Sequence, residues 1–266
     1  MGKFKNTVIC SDVDGTLIDD NFKIPQKNLD AMKYFREMGG KFTLATGRTI
    51  AGLRLYIDQI NPDLPIVCQN GSAIYDFEKG KYIWWMALDK SVVKVAKWVE
   101  ENFPSAGIEL MTVKDAYTIK ENHATRKHEN DELFKFTPAC FETVKGDWLK
   151  MVFADSPPVV DKIQAALEKS PFADEFIMVR SYGTYYEVVA KGTDKGVAVD
   201  TLRKMYSIEY DNLYVAGDNH NDCKMLTLPC KSFAPSSAAQ IAKDSADIVL
   251  KSSNNDGVID EIIKHI

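Results

Sequence analysis

The sequence predicts an α/β fold in which a parallel sheet is interrupted by an inserted α+β domain. Short β-branched strands alternate with amphipathic helices in the first and the last third of the 266 residues. This alternation is typical of parallel sheets, because parallel strands need helical crossovers between them. The middle third instead places several strands close together, which indicates a second domain.

The first third contains three predicted strands separated by helices. Each strand gives way to polar or small residues, which marks the change from buried strand to loop. Pro25 begins the first helix, and Gly39 stops it. In chain order, the predicted elements are a strand over 7–10, a helix over 25–38, a strand over 42–45, a helix through 50–57 and a strand over 66–68, followed by a turn at Asn70-Gly71.

The last third repeats this pattern, with a helix over 195–206, strands over 213–216, 232–234 and 248–250, and a terminal helix. The middle third shows a helix over 92–99, strands near Met111 and over 148–153, a helix around 163–167, and strands over 177–179 and 185–189. We therefore expect residues 1–84 and 186–266 to form one α/β core. Residues 85–185 are expected to form the inserted domain.

Composition excludes several classes of function. The 33 Lys and Arg against 38 Asp and Glu give a net charge of −5, so the basic field that holds nucleic acid is not expected. No run of 18 apolar residues occurs, so we expect no membrane partner and a cytoplasmic protein. The five cysteines form no C-x-x-C pair and are expected to be reduced thiols rather than zinc ligands.

Acidic residues follow two of the predicted core strands. Asp12 and Asp14 come after the first strand, Thr46 after the second, and Asp218 after the strand over 213–216. Ligands of open α/β sheets bind at the carboxyl ends of the strands, so we expect these side chains to converge. Three carboxylates in one cleft repel each other unless a cation lies among them, and an all-oxygen site suits Mg²⁺. The sequence therefore predicts a magnesium site.

Lys195 supplies the positive charge that such a site needs for an anionic substrate. It begins a predicted helix, and with the hydroxyl of Thr46 and the N–H groups after it, it can bind phosphate oxygens. The chain lacks the G-x-S-x-G motif of serine hydrolases and the Walker A loop. A carboxylate that attacks phosphorus, with a neighbouring carboxylic acid to protonate the leaving oxygen, fits the residues present.

Four ordered motifs resemble those of the haloacid dehalogenase (HAD) superfamily, and most closely its Cof-type sugar-phosphate phosphatases. The resemblance spans the whole chain and implies a Rossmann-like core with a large cap domain inserted between the second and third motifs. The matching segments are Asp12-Val13-Asp14-Gly15-Thr16-Leu17, Ala45-Thr46-Gly47-Arg48, Lys191-Gly192-Thr193-Asp194-Lys195-Gly196 and Gly217-Asp218-Asn219-His220-Asn221-Asp222.

The resemblance also implies a role for each matched residue. Asp12 would be the nucleophile that forms an aspartyl-phosphate, and Asp14 the general acid and base. The implied phosphate ligands are Thr46, Gly47, Lys195 and Asn221. The implied Mg²⁺ ligands are Asp12, Asp14 and Asp218. Asp222 would support the loop of the fourth motif, residues 217–222, which we call the acidic loop. The implied reaction is Mg²⁺-dependent hydrolysis of a small phosphomonoester, with the cap selecting the substrate.

Two other functions stay open at this point. A phosphomutase of the same fold would return the phosphate to its own substrate rather than to water. A phosphoacceptor or regulatory binding protein, similar to a two-component receiver, would also phosphorylate an aspartate beside Mg²⁺, although receivers are much shorter and lack a cap. The expected partner is a small phosphorylated metabolite whose identity the sequence leaves open, as it does the choice between a monomer and a small homo-oligomer.

Overall fold

The computed structural model describes residues 2–132 and 135–266, which form two compact units. The first unit is Met1–Ile83 with Asp194–Ile266, and the second is Trp84–Thr193. No helix in the described residues is both long enough and apolar enough to cross a bilayer.

The strands are β1 (Val8–Ser11), β2 (Lys41–Leu44), β3 (Ile66–Cys68), β4 (Ala73–Asp76), β5 (Lys81–Trp85), β6 (Gly107–Thr112), β7 (Ala116–Lys120), β8 (Thr137–Pro138), β9 (Trp148–Ala154), β10 (Ile177–Tyr182), β11 (Tyr185–Val189), β12 (Leu213–Ala216), β13 (Lys231–Ala234) and β14 (Ile248–Val249). The helices are α1 (Gln26–Glu37), α2 (Ile50–Ile60), α3 (Val93–Asn102), α4 (His123–Glu132), α5 (Pro157–Leu167), α6 (Lys195–Met205), α7 (Cys223–Leu226), α8 (Gln240–Ser245) and α9 (Val258–Ile262).

The first unit is built on a parallel sheet with the strand order β14-β13-β12-β1-β2. The strand β1, which lies between β12 and β2, is buried along its whole length, which explains its continuous run of apolar and small residues. Ala45, which directly follows β2, forms a parallel bridge with Val67 of β3, so β3 lies next to the end of β2. These observations confirm the predicted α/β class with a parallel sheet.

The sheet register brings the carboxyl ends of β12, β1 and β2 to one edge. Ser11, the last residue of β1, is paired with Leu44 of β2 and with Ala216 of β12. Because the three strands run in parallel, the residues that follow them leave the sheet side by side. The acidic and phosphate-binding candidates all lie in these loops or at the start of α6.

Helix α6 begins where the sequence predicts, at Lys195. The side chain of Asp194 caps its first turn by accepting a hydrogen bond of 2.7 Å from the backbone N–H of Val197. The residues of α6 that face inward, including Lys195 itself, are buried. This hydrogen bond from Val197 to Asp194 therefore fixes where α6 starts and, with it, the position of Lys195.

The second unit is an α+β arrangement around a six-stranded sheet with the order β10-β11-β9-β6-β7-β8. Most of its neighbouring strands are antiparallel. Residues of α3 and α5 pack with the sheet into one apolar core that includes Val95, Ile163 and Trp148. The strand β11 pairs with both β9 and β10, so the unit continues to Thr193, whereas the boundary expected from the sequence would cut this strand after Tyr185.

Candidate active site

Three carboxylates meet at the carboxyl edge of the parallel sheet. Asp12 follows β1, while Asp218 and Asp222 lie in the loop that follows β12. Each of the three offers an oxygen, and these oxygens lie within 4.8 Å of one another. The backbone fixes this arrangement, because the N–H of Asp12 donates to the carbonyl of Ala216 at 2.8 Å.

Lys195 lies between two of these carboxylates. Its Nζ donates to Oδ1 of Asp12 at 2.7 Å and to Oδ1 of Asp222 at 2.6 Å. The three side chains are almost completely buried, with the lysine side chain 1% exposed. The second oxygen of Asp222 accepts hydrogen bonds from the backbone N–H groups of Asp218 and Asn219, both at 3.0 Å. Asp222 therefore fixes the acidic loop and the lysine at the same time.

Burial and mutual repulsion change the proton affinity of the carboxyl groups. Burial raises the pKa of Asp12 well above its ordinary value, and the neighbouring Asp222 raises it further, against the opposing effect of Lys195. The same two causes raise the pKa of Asp218 to about 6. Burial disfavours the charged form of Lys195, but Asp12 and Asp222 outweigh it, so its pKa is raised and the ammonium stays charged.

The charge balance of the cluster fits a divalent cation. When all three carboxyl groups are ionised, the single ammonium leaves two negative charges uncompensated in a largely buried site. Carboxylate oxygens are hard donors of the kind that Mg²⁺ prefers, and a bound cation would offset the burial and the repulsion that raise the pKa values of Asp12 and Asp218. The residues present therefore fit a hard metal ion.

Gly15 makes close approach to the acidic loop possible. Its φ is +78°, and a Cβ atom at this position would lie 2.3 Å from Oδ2 of Asp218. A side chain there would be strained and would also displace the carboxylate. The hydroxyl of the next residue, Thr16, points to Oδ1 of Asp218 at 3.4 Å. The segment after Asp12 thus packs directly against the loop that holds Asp218.

Asp14 occupies a different environment from the three clustered carboxylates. Arg48, which follows β2 in the second motif, donates to both of its oxygens, from Nε at 2.8 Å and from a terminal nitrogen at 2.6 Å. The side chain of Asp14 is 47% exposed, and its carboxylate lies outside the group that could hold a metal. The structure therefore brings Asp12 and Asp218 together with Asp222, where the sequence expected Asp14 as the third ligand.

The remaining candidates line the same edge of the sheet. Thr46 is fully buried, and its Oγ1 accepts a hydrogen bond of 3.1 Å from the backbone N–H of Arg48. Asn221 lies in the loop after β12, and its side-chain nitrogen donates to Oδ1 of Asn70 at 3.0 Å. A Cβ atom at Gly47 would lie 2.9 Å from the same oxygen of Asn70.

Sequence reasoning missed two residues of this site. Arg48 was part of a quoted motif without a role, and Asn70 was only a turn residue. For Asn70 a signal existed, because it closely follows a buried strand at the edge where the other candidates lie. For Arg48 the contact depends on side-chain geometry between residues 34 positions apart, which no sequence pattern reports.

The chain is similar to known hydrolases over almost its whole length. Residues 9–262 match the sequence profile of the haloacid dehalogenase-like hydrolases. The hydrolase C215.10 of Schizosaccharomyces pombe is 29% identical over 283 residues, which span 97% of this chain and 90% of the relative. YwtE of Bacillus subtilis, a 5-amino-6-(5-phospho-D-ribitylamino)uracil phosphatase, is 24% identical over 282 residues, 96% of this chain and 97% of the relative.

Solved structures share the fold over almost the whole chain. A haloacid dehalogenase-like hydrolase from Bacteroides thetaiotaomicron has a TM-score of 0.84 at 20% identity and covers 99% of this chain and 100% of its own. The HAD subclass IIB sugar phosphatase BT4131 has a TM-score of 0.81 at 21% identity, with 97% and 98% covered. The sequence profile and these similarities identify the chain as a member of the haloacid dehalogenase-like hydrolase family.

Proposed function

We propose that the protein is a Mg²⁺-dependent phosphatase that hydrolyses small phosphomonoesters through an aspartyl-phosphate on Asp12. The observation that carries this proposal is the contact of the Asp12 carboxylate with the ammonium of Lys195 inside a buried cluster of acids. A carboxylate oxygen there can attack phosphorus, while the lysine balances the negative charge of the phosphoryl group.

In the first step, an oxygen of Asp12 forms a bond to phosphorus as the bond from phosphorus to the leaving oxygen breaks. Asp14 donates a proton to that oxygen, so the product leaves as a neutral alcohol. In the second step, Asp14 accepts a proton from water, the water oxygen attacks phosphorus, and the bond to Asp12 breaks. Phosphate is released, and both carboxyl groups return to their starting states.

The contacts of Asp14 support its role in proton transfer. Arg48 holds both of its oxygens, so the carboxylate has a fixed orientation, and its 47% exposed side chain remains accessible. Asp218 and Asp222 instead belong, with Asp12, to the cluster proposed to hold the metal ion. Asp14 is therefore better suited than Asp218 or Asp222 to exchange protons.

Asp12 and Asp218, supported by Asp222, would hold the metal ion. When bound, Mg²⁺ supplies positive charge that neutralises phosphate oxygens and the acidic cluster. Lys195 keeps Asp12 and Asp222 apart and at fixed positions, since its Nζ contacts both. Thr46, Gly47 and Asn221 are placed at the same sheet edge and would donate hydrogen bonds to phosphate oxygens.

Small phosphorylated metabolites, sugar phosphates among them, are the proposed substrates. The relative YwtE is named as a phosphatase of a phosphorylated ribitylamino compound, and the structural neighbour BT4131 is named as a sugar phosphatase. We also propose that the second unit, Trp84–Thr193, acts as the domain that selects the substrate, and that the protein works in the cytoplasm without nucleic acid or membrane partners.

A substrate panel tests this function. Purified protein is incubated with hexose phosphates, phosphoglycolate, nucleotides, pyridoxal phosphate and flavin mononucleotide, with Mg²⁺ or with EDTA, and phosphate release is measured. We expect release from at least one compound, dependent on metal, absent in Asp12→Asn and retained in Asp58→Asn, which changes an exposed carboxylate of α2.

Other outcomes of the panel would point elsewhere. Isomer formation without phosphate release would indicate a phosphomutase, and a long-lived phosphoprotein without turnover would indicate a phosphoacceptor. Full activity in EDTA would remove the metal from the proposal.

A further inference from the structure

Three successive residues after β3 adopt a left-handed backbone. Gln69, Asn70 and Gly71 have φ values of +51°, +56° and +91°, and the first two are almost completely buried. We refer to Gln69–Gly71 as the left-handed turn. Such a conformation is unfavourable for residues other than glycine, and asparagine tolerates it better than most. Strain of this kind persists where the surrounding structure holds it, often at functional sites.

Backbone contacts attach the left-handed turn to two of the motifs. The N–H of Asn70 donates to the carbonyl of Thr46 at 3.0 Å, and the N–H of Gln69 donates to the carbonyl of Arg48 at 3.1 Å. On its other side, a Cβ atom at Gly71 would lie 2.2 Å from the carbonyl oxygen of Asp194, so only glycine fits against the start of α6. The turn therefore lies between the second motif and the helix that begins with Lys195.

The side chain of Asn70 reaches two of the proposed phosphate ligands. Its Oδ1 accepts a hydrogen bond of 3.0 Å from Nδ2 of Asn221, and the same oxygen packs closely against Gly47. An amide nitrogen carries two hydrogens, so this hydrogen bond leaves Asn221 one more for a phosphate oxygen. A residue at position 70 thus needs both a left-handed backbone and an acceptor of about this length, and asparagine provides both.

We propose that Asn70 is a positioning residue that orients Asn221 for binding the phosphate of the substrate. This inference rests on the proposed phosphatase function. Asn70 acts through its hydrogen bond to the amide of Asn221, and the left-handed turn keeps that acceptor at a fixed distance from Thr46 and Gly47. The group served is the phosphate common to all substrates, so the effect of Asn70 is independent of the rest of the substrate.

A double-mutant cycle tests the proposal. Asn70→Gly removes the amide but keeps a residue that adopts the left-handed backbone without strain, and Asn221→Ala removes the partner. We expect each single change to lower kcat/KM by about 3- to 10-fold, the value of one hydrogen bond, for every substrate of the panel. In the Asn221→Ala background, Asn70→Gly should have less than about a twofold further effect, because its target is already absent.

Asn61→Gly is the matched control. Asn61 also has a left-handed backbone, with a φ of +44°, but it caps the end of α2 away from these contacts, so its kcat/KM should equal that of the wild type. The inhibition constant of inorganic phosphate gives a second readout. The change Asn221→Ala alone should weaken this inhibition by the same factor by which it lowers kcat/KM. This measurement does not depend on the folding of Asn70→Gly.

Three results would overturn the inference while leaving the phosphatase function intact. They are an Asn70→Gly enzyme as active as the wild type, equal losses from Asn70→Gly in both backgrounds, and unchanged phosphate inhibition of Asn221→Ala. A wild-type protein that releases no phosphate from any compound would instead refute the proposed function.

Discussion

Replacing Lys195 by methionine should leave two buried carboxylates without their cation. Methionine has nearly the shape of the lysine stem, so the change mainly removes charge. The Nζ atom contacts Asp12 and Asp222 at 2.7 and 2.6 Å, and all three side chains are at most 6% exposed. Removing one partner of such a buried pair costs about 3–5 kcal/mol, because the remaining charge has neither water nor a counter-ion.

The effect should be measured by urea denaturation with EDTA present. Lys204→Met is the matched control: it removes a lysine from the same helix, but one whose side chain is 68% exposed and pairs with Asp200 at the surface. Its loss of stability should stay below about 1 kcal/mol. A second change, Asp222→Asn, should restore part of the stability of Lys195→Met, since it removes one of the two uncompensated charges.

Both Mg²⁺ and lower pH should reduce the loss of stability in Lys195→Met. Mg²⁺ should reduce it, because the cation would bind among the same carboxylates. Lower pH should reduce it as well, because burial already raises the pKa of Asp12 and protonation of that group relieves the repulsion. A Lys195→Met protein that loses less than about 1 kcal/mol in EDTA at pH 8 would refute the assignment of Lys195 as the counter-ion of the cluster.

Three further changes test other parts of the site and fold. Gly15→Ala places a Cβ atom 2.3 Å from Asp218 and should weaken Mg²⁺ activation by about tenfold or more, which a metal titration of activity would measure; an unchanged midpoint would contradict the close packing. Arg48→Ala releases the carboxylate of Asp14, so turnover of alkyl phosphates should fall by about tenfold more than turnover of p-nitrophenyl phosphate, whose leaving group needs no proton. Equal losses on the two kinds of substrate would argue that Arg48 does not orient Asp14 for proton transfer. Partial burial opposes ionisation of Asp200, but hydrogen bonds from neighbouring lysine, tyrosine and arginine side chains outweigh it and lower its pKa from 3.8 to about 2. The stability that Asp200 contributes is therefore present above about pH 4 and is lost as the pH falls toward 2, so Asp200→Asn should cost on the order of 1 kcal/mol at pH 7 in urea denaturation and progressively less below pH 4. A stability difference between wild type and Asp200→Asn that stays constant with pH would show that these contacts do not depend on charge.

The core of the fold was predictable because its strands are short, apolar and bounded by turn residues. The strands β1, β2, β3 and β12 follow that pattern, and their polar ends identify the edge where the site lies. The hairpin of β4 and β5 was missed because most of β5 is only partly buried and lacks a clear alternation of apolar and polar residues.

Helix α4 was missed for a related reason. Its sequence, HATRKHENDE, contains a single apolar residue and therefore shows no helical periodicity. The helix packs through Ala124 and His128, and the latter is held by a buried contact of 2.7 Å with Glu109 of β6. A buried polar contact between distant parts of the chain leaves no periodic signal in the sequence.

The site shows the same division between pattern and geometry. The sequence placed Asp12, Asp218 and Lys195 at one sheet edge, and the structure brings them together. The spacing of Asp12 and Asp14 suggested that both carboxylates face the same way, but Arg48 holds Asp14 apart from the cluster. The link between Asn70 and Asn221, 151 positions apart, likewise follows only from the folded backbone.

The central claim, that Asp12 carries the phosphoryl group, is tested most directly by trapping the phosphorylated enzyme. The protein is mixed with a substrate from the panel and Mg²⁺, quenched during turnover, reduced with borohydride and digested for mass spectrometry. An aspartyl-phosphate is reduced to homoserine, so we predict homoserine at position 12 in the wild type and none at position 14 or in Asp12→Asn. Homoserine at another aspartate, or full turnover without modification of Asp12, would contradict the account.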